Sequence, residues 1–400
     1  MSNGEVEKKV VVKGQEPVDE AQKEETKEQM NEANMIGDVA RTGTYRKAIL
    51  GNAAVAFAGK TVLDVGAGSG ILSYMSAQAG ANQVIALEAS SMAEKIEIMV
   101  KAANSGRINP HLKDRIRIVR GMVENKKVQE QVLQSGKVDT IVSEPIGVML
   151  LHERMVESFI LARDLFLKPG GQLLPSAGHI FFCPFSDEGL YNETDQKAQF
   201  FNNTLFGTDF SELYNAAREE VFAQPVVGMF PPTSLISTAC APKSFDFYTC
   251  SNDDLLEFTI PIDFIVSRTS LVHGLASWFD LDFQPRPAPG EEGDVNWDFP
   301  VVPSSSLTNN AWQWMTQQEQ PLNPGPAPPP PADGLTVTLS TGPNVNKGER
   351  LTGSIHFKVN DARSYDLTLD LEVDRPGGSE WDPNPLKRRA TYVLQQQCFK

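Results

Sequence analysis

Apolar and polar positions alternate along this chain with two different periods, one before and one after Pro175. In the first part, short apolar runs at residues 61–65, 83–87, 115–119 and 138–143 are separated by stretches of helical character, including 71–79 and 153–167. The last of these carries Met155, Val156, Phe159, Ile160 and Phe166 on its apolar side, and Lys168-Pro169-Gly170-Gly171 predicts where it stops. Strands alternating with helices predict a parallel sheet covered by helices. After Pro175, residues 256–266, 271–283, 335–339, 351–359 and 365–373 alternate as strands do. In the last run Tyr365, Leu367, Leu369, Leu371 and Val373 share one face, while Asp366, Thr368, Asp370 and Glu372 take the other. That pattern predicts an antiparallel sheet or barrel with one wet face.

The connecting segments sort by composition. Residues 187–222 are helix-like and rich in aromatics, among them Tyr191, Phe200, Phe201, Phe206, Phe210 and Tyr214, as suits an arm that docks on a second copy. Residues 1–40 hold no aromatic residue and are crowded with Glu and Lys. They read as a largely disordered tail with a weak helix from about residue 20. The six prolines of residues 323–332 predict a stiff surface loop or linker. The end of the chain, 376–400 with Lys387-Arg388-Arg389, reads as a loose tail. Two domains result, 41–175 and 176–375, which agrees with a length of 400 residues and 40% apolar content.

A net charge of −15 disfavours direct binding of nucleic acid and suits cationic partners such as arginine-rich protein tails. No apolar run reaches the ~18 residues of a membrane helix, and the start of the chain has no secretory pattern. Cys183, Cys240, Cys250 and Cys398 lack metal-ligand spacing and read as reduced thiols of the cytoplasm or nucleus. The five histidines are scattered, and no metal is expected.

Two motifs carry the candidate chemistry. In Val62-Leu63-Asp64-Val65-Gly66-Ala67-Gly68-Ser69-Gly70, Gly66, Gly68 and Gly70 sit between a strand and a helix, where a backbone turns tightly against a ligand. Glu88 ends the next strand, where it can accept from ribose hydroxyls. An acidic Asp64 beside the loop disfavours a pyrophosphate and suits a cofactor with positive charge, such as S-adenosylmethionine; on this motif alone NAD remains the competitor. The second motif runs from Ser143-Glu144-Pro145 to Glu153-Arg154-Met155. Two carboxylates nine positions apart can clamp the five-donor fork of a guanidinium. The blander reading makes Glu153 a helix N-terminal acid favoured by the dipole. It suits Glu144 poorly, since that residue follows a parallel strand at the end where open α/β sheets bind ligands.

From Arg41-Thr42-Gly43-Thr44-Tyr45 to about Asp366 the chain resembles the protein arginine methyltransferases, most closely the coactivator-associated type I branch. Ser143-Glu144-Pro145-x-Gly147 with Glu153-Arg154-Met155 resembles the family's double-E loop. The resemblance implies a Rossmann-like class I methyltransferase domain followed by an antiparallel β-barrel domain with a helical dimerisation arm. It implies S-adenosylmethionine as cofactor, arginine in protein tails as substrate, and a homodimer or a heterodimer with a paralogue. Carried over residue by residue, Arg41 takes the cofactor's carboxylate. Gly66 and its neighbours, Ala67 among them, line its methionine part, Glu88 holds its ribose, Glu124 sits near its adenine, and Ala89 and Ser158 are further cofactor contacts. Met35 and Met155 match the two methionines that shape the pocket for asymmetric dimethylation.

Departures from the family pattern weigh on this expectation. The positions of an aromatic Tyr-Phe-x-x-Tyr lid hold Lys23, Glu24 and Lys27, and Asn310-Ala311-Trp312 stands where the family has Thr-His-Trp. Val148 replaces a tyrosine, whereas Asp38 keeps its acid. Two readings therefore stand side by side: an active enzyme of reduced activity, or a non-catalytic paralogue that regulates an active relative. His273 reads as a strand histidine satisfied by the backbone, His152 as merely preceding a helix, and Tyr45 as packing.

Overall fold

The computed structural model describes residues 36–286, 333–375 and 387–394. The charged N-terminal stretch with Met35, the proline-rich stretch and Asn310-Ala311-Trp312 lie outside the described residues.

Helix α1 (Val39–Gly51) is capped by Asp38, whose side chain accepts from the Arg41 amide at 2.9 Å. There follow β1 (Thr61–Val65), α2 (Ile71–Gln78), β2 (Gln83–Glu88), α3 (Met92–Asn104), β3 (Ile116–Arg120), α4 (Lys126–Leu133), β4 (Val138–Ser143), α5 (Met155–Phe166) and β5 (Leu167–Leu174). The strands pair in parallel in the order β3-β2-β1-β4-β5. In β1 every residue from Val62 to Val65 is buried, the unbroken apolar signature of a strand covered on both faces. Helix α5 stops at Phe166, as the sequence predicts, yet Lys168-Pro169-Gly170-Gly171 is no loop. It enters β5 directly, with Gly170 left-handed at φ 74° and a register shift opposite Val138 and Thr140.

The second half is antiparallel. Strand β6 (Ala177–Phe185) leads into α6 (Glu188–Gln199), a tip of β7 (Thr204–Leu205) and β8 (Thr208–Asp209), and α7 (Tyr214–Phe222). This is the arm. Arg218 ties it together, pairing Asp195 at 2.7 Å, donating to the Tyr191 hydroxyl at 2.6 Å and lying 5.0 Å over the Phe222 ring. At the tip Phe206 is fully exposed. The chain continues through β9 (Val226–Met229), β10 (Ala241–Asp246), β11 (Glu257–Ile265), β12 (Ser270–Leu271), β13 (Gly274–Asp282), β14 (Asp333–Thr338), β15 (Asn344–Val345), β16 (Arg350–Val359), β17 (Tyr365–Asp374) and β18 (Lys387–Val393). Two sheets, ordered β10-β6-β13-β14-β9 and β11-β16-β17-β18, face a common interior as the barrel. Its core stacks Phe258 on Phe357 at 4.7 Å, with Phe182 and Tyr365 edge-on to Phe357.

One expectation is overturned here. Lys387-Arg388-Arg389, read as part of a loose tail, opens β18, which pairs antiparallel with β17. Opposite charges face each other across the pair, Lys387 on Glu372 at 2.9 Å among them, while Tyr392 and Leu394 are fully buried. The run looks like a tail because its inward-facing residues are few, and the charges that suggest solvent belong to the outer face of an edge strand.

Candidate active site

Three strand ends converge. Val65 is in register with Leu87 on one side and Ser143 on the other, so the residues that follow, Gly66, Glu88 and Glu144, emerge side by side. Ser143 fastens this edge by donating to the Val65 carbonyl at 2.7 Å. The order β2-β1-β4 also marks where successive connections leave in opposite directions, the crevice in which open α/β sheets bind ligands.

The glycine loop is built for close approach. Gly66, Gly68 and Gly70 all have positive φ, at 71°, 52° and 84°. A Cβ at Gly66 would sit 2.9 Å from the terminal methyl of Met155, and one at Gly70 would meet the Tyr74 ring at 2.8 Å. Met155, the first residue of α5, is thereby laid against the loop. Gly66 is exposed, Gly68 partly so, and Ala67 and Gly70 are buried.

Glu88 is buried, and its two carboxylate oxygens accept from Gly68 N at 2.6 Å and Ser90 N at 2.7 Å. A carboxylate offers about four lone-pair positions, so acceptors remain beyond these two. Its neighbour Ala89 is exposed. Asp64 is fully buried and accepts from the Ser73 hydroxyl at 2.6 Å, which pins the loop to α2. Its charge acts on Tyr45 and Tyr74; burial, the larger cause, together with that charge pushes the Tyr74 phenol up to about 12. Further along, Ser158 on α5 donates to Glu124 at 2.7 Å, joining two residues that the resemblance names as cofactor contacts.

Glu144 meets an arginine already. The Arg41 guanidinium lies 3.4 Å from its carboxylate, and both side chains are largely shielded, 8% and 15% exposed. Tyr45, beside them, is buried with its ring edge-on to Phe283 at 4.9 Å, the packing role expected of it.

Glu153 stands differently. Together with Met149, Leu150 and Arg154 it adopts left-handed backbone, with φ of 53°, 68°, 72° and 56° along the loop. Such residues cost on the order of 1 kcal/mol or more each, so the surroundings must impose them. Gly147 and Leu150 exchange two backbone hydrogen bonds, and a Cβ at Gly147 would strike the His152 carbonyl. Met149, Leu150 and Leu151 are sunk in the core. Arg154 grips Glu157 in two-point fashion at 2.6 and 2.7 Å. Glu153 itself is exposed by accessible surface. Even so, enough protein is packed around its carboxyl to raise it above the ordinary carboxylate range, and the charge of Arg363 works against that rise.

The histidines divide. His273 is buried and accepts from Asp187 N at 2.8 Å, the backbone-satisfied role expected. His152 does more than precede a helix. It is buried, and its Nδ1 lies 2.7 Å from the Ser364 hydroxyl in the barrel. No sequence signal pointed to Ser364 or Arg363, because the contacts span 212 and 210 positions of the chain.

Comparison with known proteins agrees with both halves. Residues 176–314 match the arginine methyltransferase oligomerization subdomain, and residues 49–174 match the family described as ribosomal protein L11 methyltransferase (PrmA). The probable histone-arginine methyltransferase CARM1 of Oryza sativa subsp. indica is 38% identical over 348 residues, 86% of this chain and 57% of that protein. The histone-arginine methyltransferase CARMER of Drosophila erecta is 37% identical over 346 residues, 85% of this chain and 56% of that protein. The chain thus spans a little over half the length of the curated relatives it matches. Among solved structures, the Trypanosoma brucei PRMT1 enzyme–prozyme heterotetrameric complex with AdoHcy superposes with a TM-score of 0.67 at 26% identity, covering 91% of this chain and 97% of that one. Arabidopsis thaliana protein arginine methyltransferase 10 shares the fold, with a TM-score of 0.64 at 24% identity over 91% of this chain and 97% of that one.

Proposed function

Because this chain belongs to the protein arginine methyltransferase family, we propose that it transfers the methyl group of S-adenosylmethionine to arginine side chains of protein tails, histone tails among them. The observation that carries the reading is the register that brings Gly66, Glu88 and Glu144 out together, with Met155 laid on the glycine loop.

The residues fit such a cofactor. Gly66 offers open main chain where no side chain has room, Glu88 keeps acceptors for ribose hydroxyls, and Arg41 brings a guanidinium suited to a carboxylate. Glu124 with Ser158 provides a polar edge for the adenine end. Ala67, Gly68, Gly70 and Ala89 complete the lining, and Asp64 keeps the loop in place through Ser73. When bound, the cofactor supplies an electrophilic methyl on a cationic sulfur. The chain's own part is to hold a guanidinium between Glu144 and Glu153 so that one nitrogen faces that methyl, and such orientation supplies up to roughly 7–11 kcal/mol. Methylation of a guanidinium releases one proton. Glu153, whose carboxyl is raised by burial, is the acid suited to receive it. Met155, with Met35 by resemblance, would leave room for two methyls on one nitrogen.

The relatives' names support a nuclear place of work, and the match to an oligomerization subdomain supports assembly through the α6–α7 arm. No helix among the described residues is long and apolar enough to cross a membrane.

The test is transfer of label from S-adenosylmethionine to an arginine-rich peptide. Transfer by the wild type, abolished in Glu144→Gln, is expected; no transfer above that variant at high cofactor rejects the reading. A second reading, a non-catalytic partner, draws support from the replaced aromatic lid and from the likeness to an enzyme–prozyme complex. Calorimetry separates the two, since tight binding of S-adenosylmethionine by the chain alone counts against the partner role.

A further inference from the structure

We propose that the turn between β16 and β17, residues 360–364, is a positioning device for the acid loop, with His152, Arg363 and Ser364 as the residues that hold Glu153 toward substrate. This rests on the reading of Glu153 as a substrate-binding acid.

Two adjacent residues of the turn grip two adjacent residues of the loop. Ser364, 1% exposed, donates its hydroxyl proton to the Leu394 carbonyl at 2.5 Å. A hydroxyl has one proton, so toward His152 its oxygen accepts, and the imidazole carries its proton on Nδ1. Burial disfavours a charged ring there, so His152 acts as a neutral donor. One residue earlier, Arg363 donates to the main-chain carbonyl of Glu153 at 3.1 Å. It takes the carbonyl rather than the carboxylate, which leaves the side chain available to an outside cation.

The turn is itself braced. The Asn360 side chain accepts from Ala362 N at 3.0 Å and Ser364 N at 3.1 Å, and donates to Asp366 at 3.0 Å. Arg363 is left-handed, with φ 56°. A strained residue in the turn therefore holds a strained residue in the loop, each steadied by its own local hydrogen bonds and by the contact across the chain. Among the described residues Arg154 is engaged by Glu157, and Arg363 is the cation that acts on the Glu153 carboxyl.

The experiment uses the full chain with Ser364→Ala, Ser364→Thr and Arg363→Gln. Amide hydrogen exchange over residues 147–155 is read without cofactor, and peptide methylation is followed across pH. Expected for Ser364→Ala is exchange at least tenfold faster in the loop. Its kcat should fall at least tenfold, with peptide KM within about twofold, and Ser364→Thr should restore most of both. Arg363→Gln should move the acidic limb of the pH–rate profile to higher pH, since a cation opposing protonation is gone. Loop exchange equal to wild type in both Ser364→Ala and Arg363→Gln overturns the proposal, as does an unchanged kcat and pH profile. If Ser364→Ala does not fold, His152→Phe, which removes the N–H donor and keeps a ring, is read the same way. A wild type without methyl transfer sinks the catalytic reading alone, and loop exchange still decides the clamp.

Discussion

At the scale of single residues, the site depends on backbone that only some side chains tolerate. Gly66 combines φ of 71° with contact to the Met155 methyl at the place a Cβ would occupy. Gly66→Ala is expected to cost about 1–2 kcal/mol from the left-handed conformation. It should also push Met155 off the loop. Urea unfolding reads the first effect; a loss of cofactor affinity of at least tenfold in calorimetry reads the second. Glu88 was legible because it ends the strand that follows the glycine loop. Glu124, Ser158 and Met155 came from the family resemblance alone, and the structure puts Ser158 against Glu124 and Met155 against Gly66. Ser364 and Arg363 were not legible. Their partners, His152 and Glu153, lie in the loop between β4 and α5, and no local pattern carries a contact across 210 positions.

At the scale of elements, the parallel half was legible because β1, β2 and β4 are mostly buried runs and the helices after β1, β2 and β3 follow within a few residues. The antiparallel half was legible where alternation is strict, as in β17, and obscure where it is not. Strand β6 contains glycine, histidine and proline, and β18 begins with three basic residues. The worth of β18 can be measured. Tyr392 is buried and its hydroxyl donates to the Thr338 carbonyl at 3.0 Å. Tyr392→Phe is expected to lower unfolding free energy by about 1 kcal/mol, and Tyr392→Ala by about 3–5 kcal/mol as the cavity is added. Equal and small losses in both variants, measured in urea, would mean that β18 contributes nothing to the barrel core.

For the molecule as a whole, three histidines set the pH response near neutrality. Burial lowers His152 and His273 below the ordinary value. As pH falls beneath about 6.5 the unfolded chain takes up those protons first, and stability is lost. His179 is raised by its hydrogen bond to Asp282, at 3.1 Å, despite partial burial. Its contribution is complete below about 6.5 and is lost as pH rises through the raised value. The histidine contribution should therefore peak near pH 6.5. A pH series of melting temperatures tests this, with His179→Asn expected to flatten the alkaline side alone. The arm bears on assembly instead. Phe206→Asp, at the exposed tip, is expected to shift sedimentation toward the monomer while leaving the melting temperature of the monomer unchanged.

The link from Leu394 through Ser364 to His152 has a consequence for how the protein comes into being. During synthesis the first half can fold long before residue 394 leaves the ribosome, yet its acid loop lacks the outside brace until then. A nascent chain would carry a finished crevice beside an unfinished clamp until residue 394 has emerged.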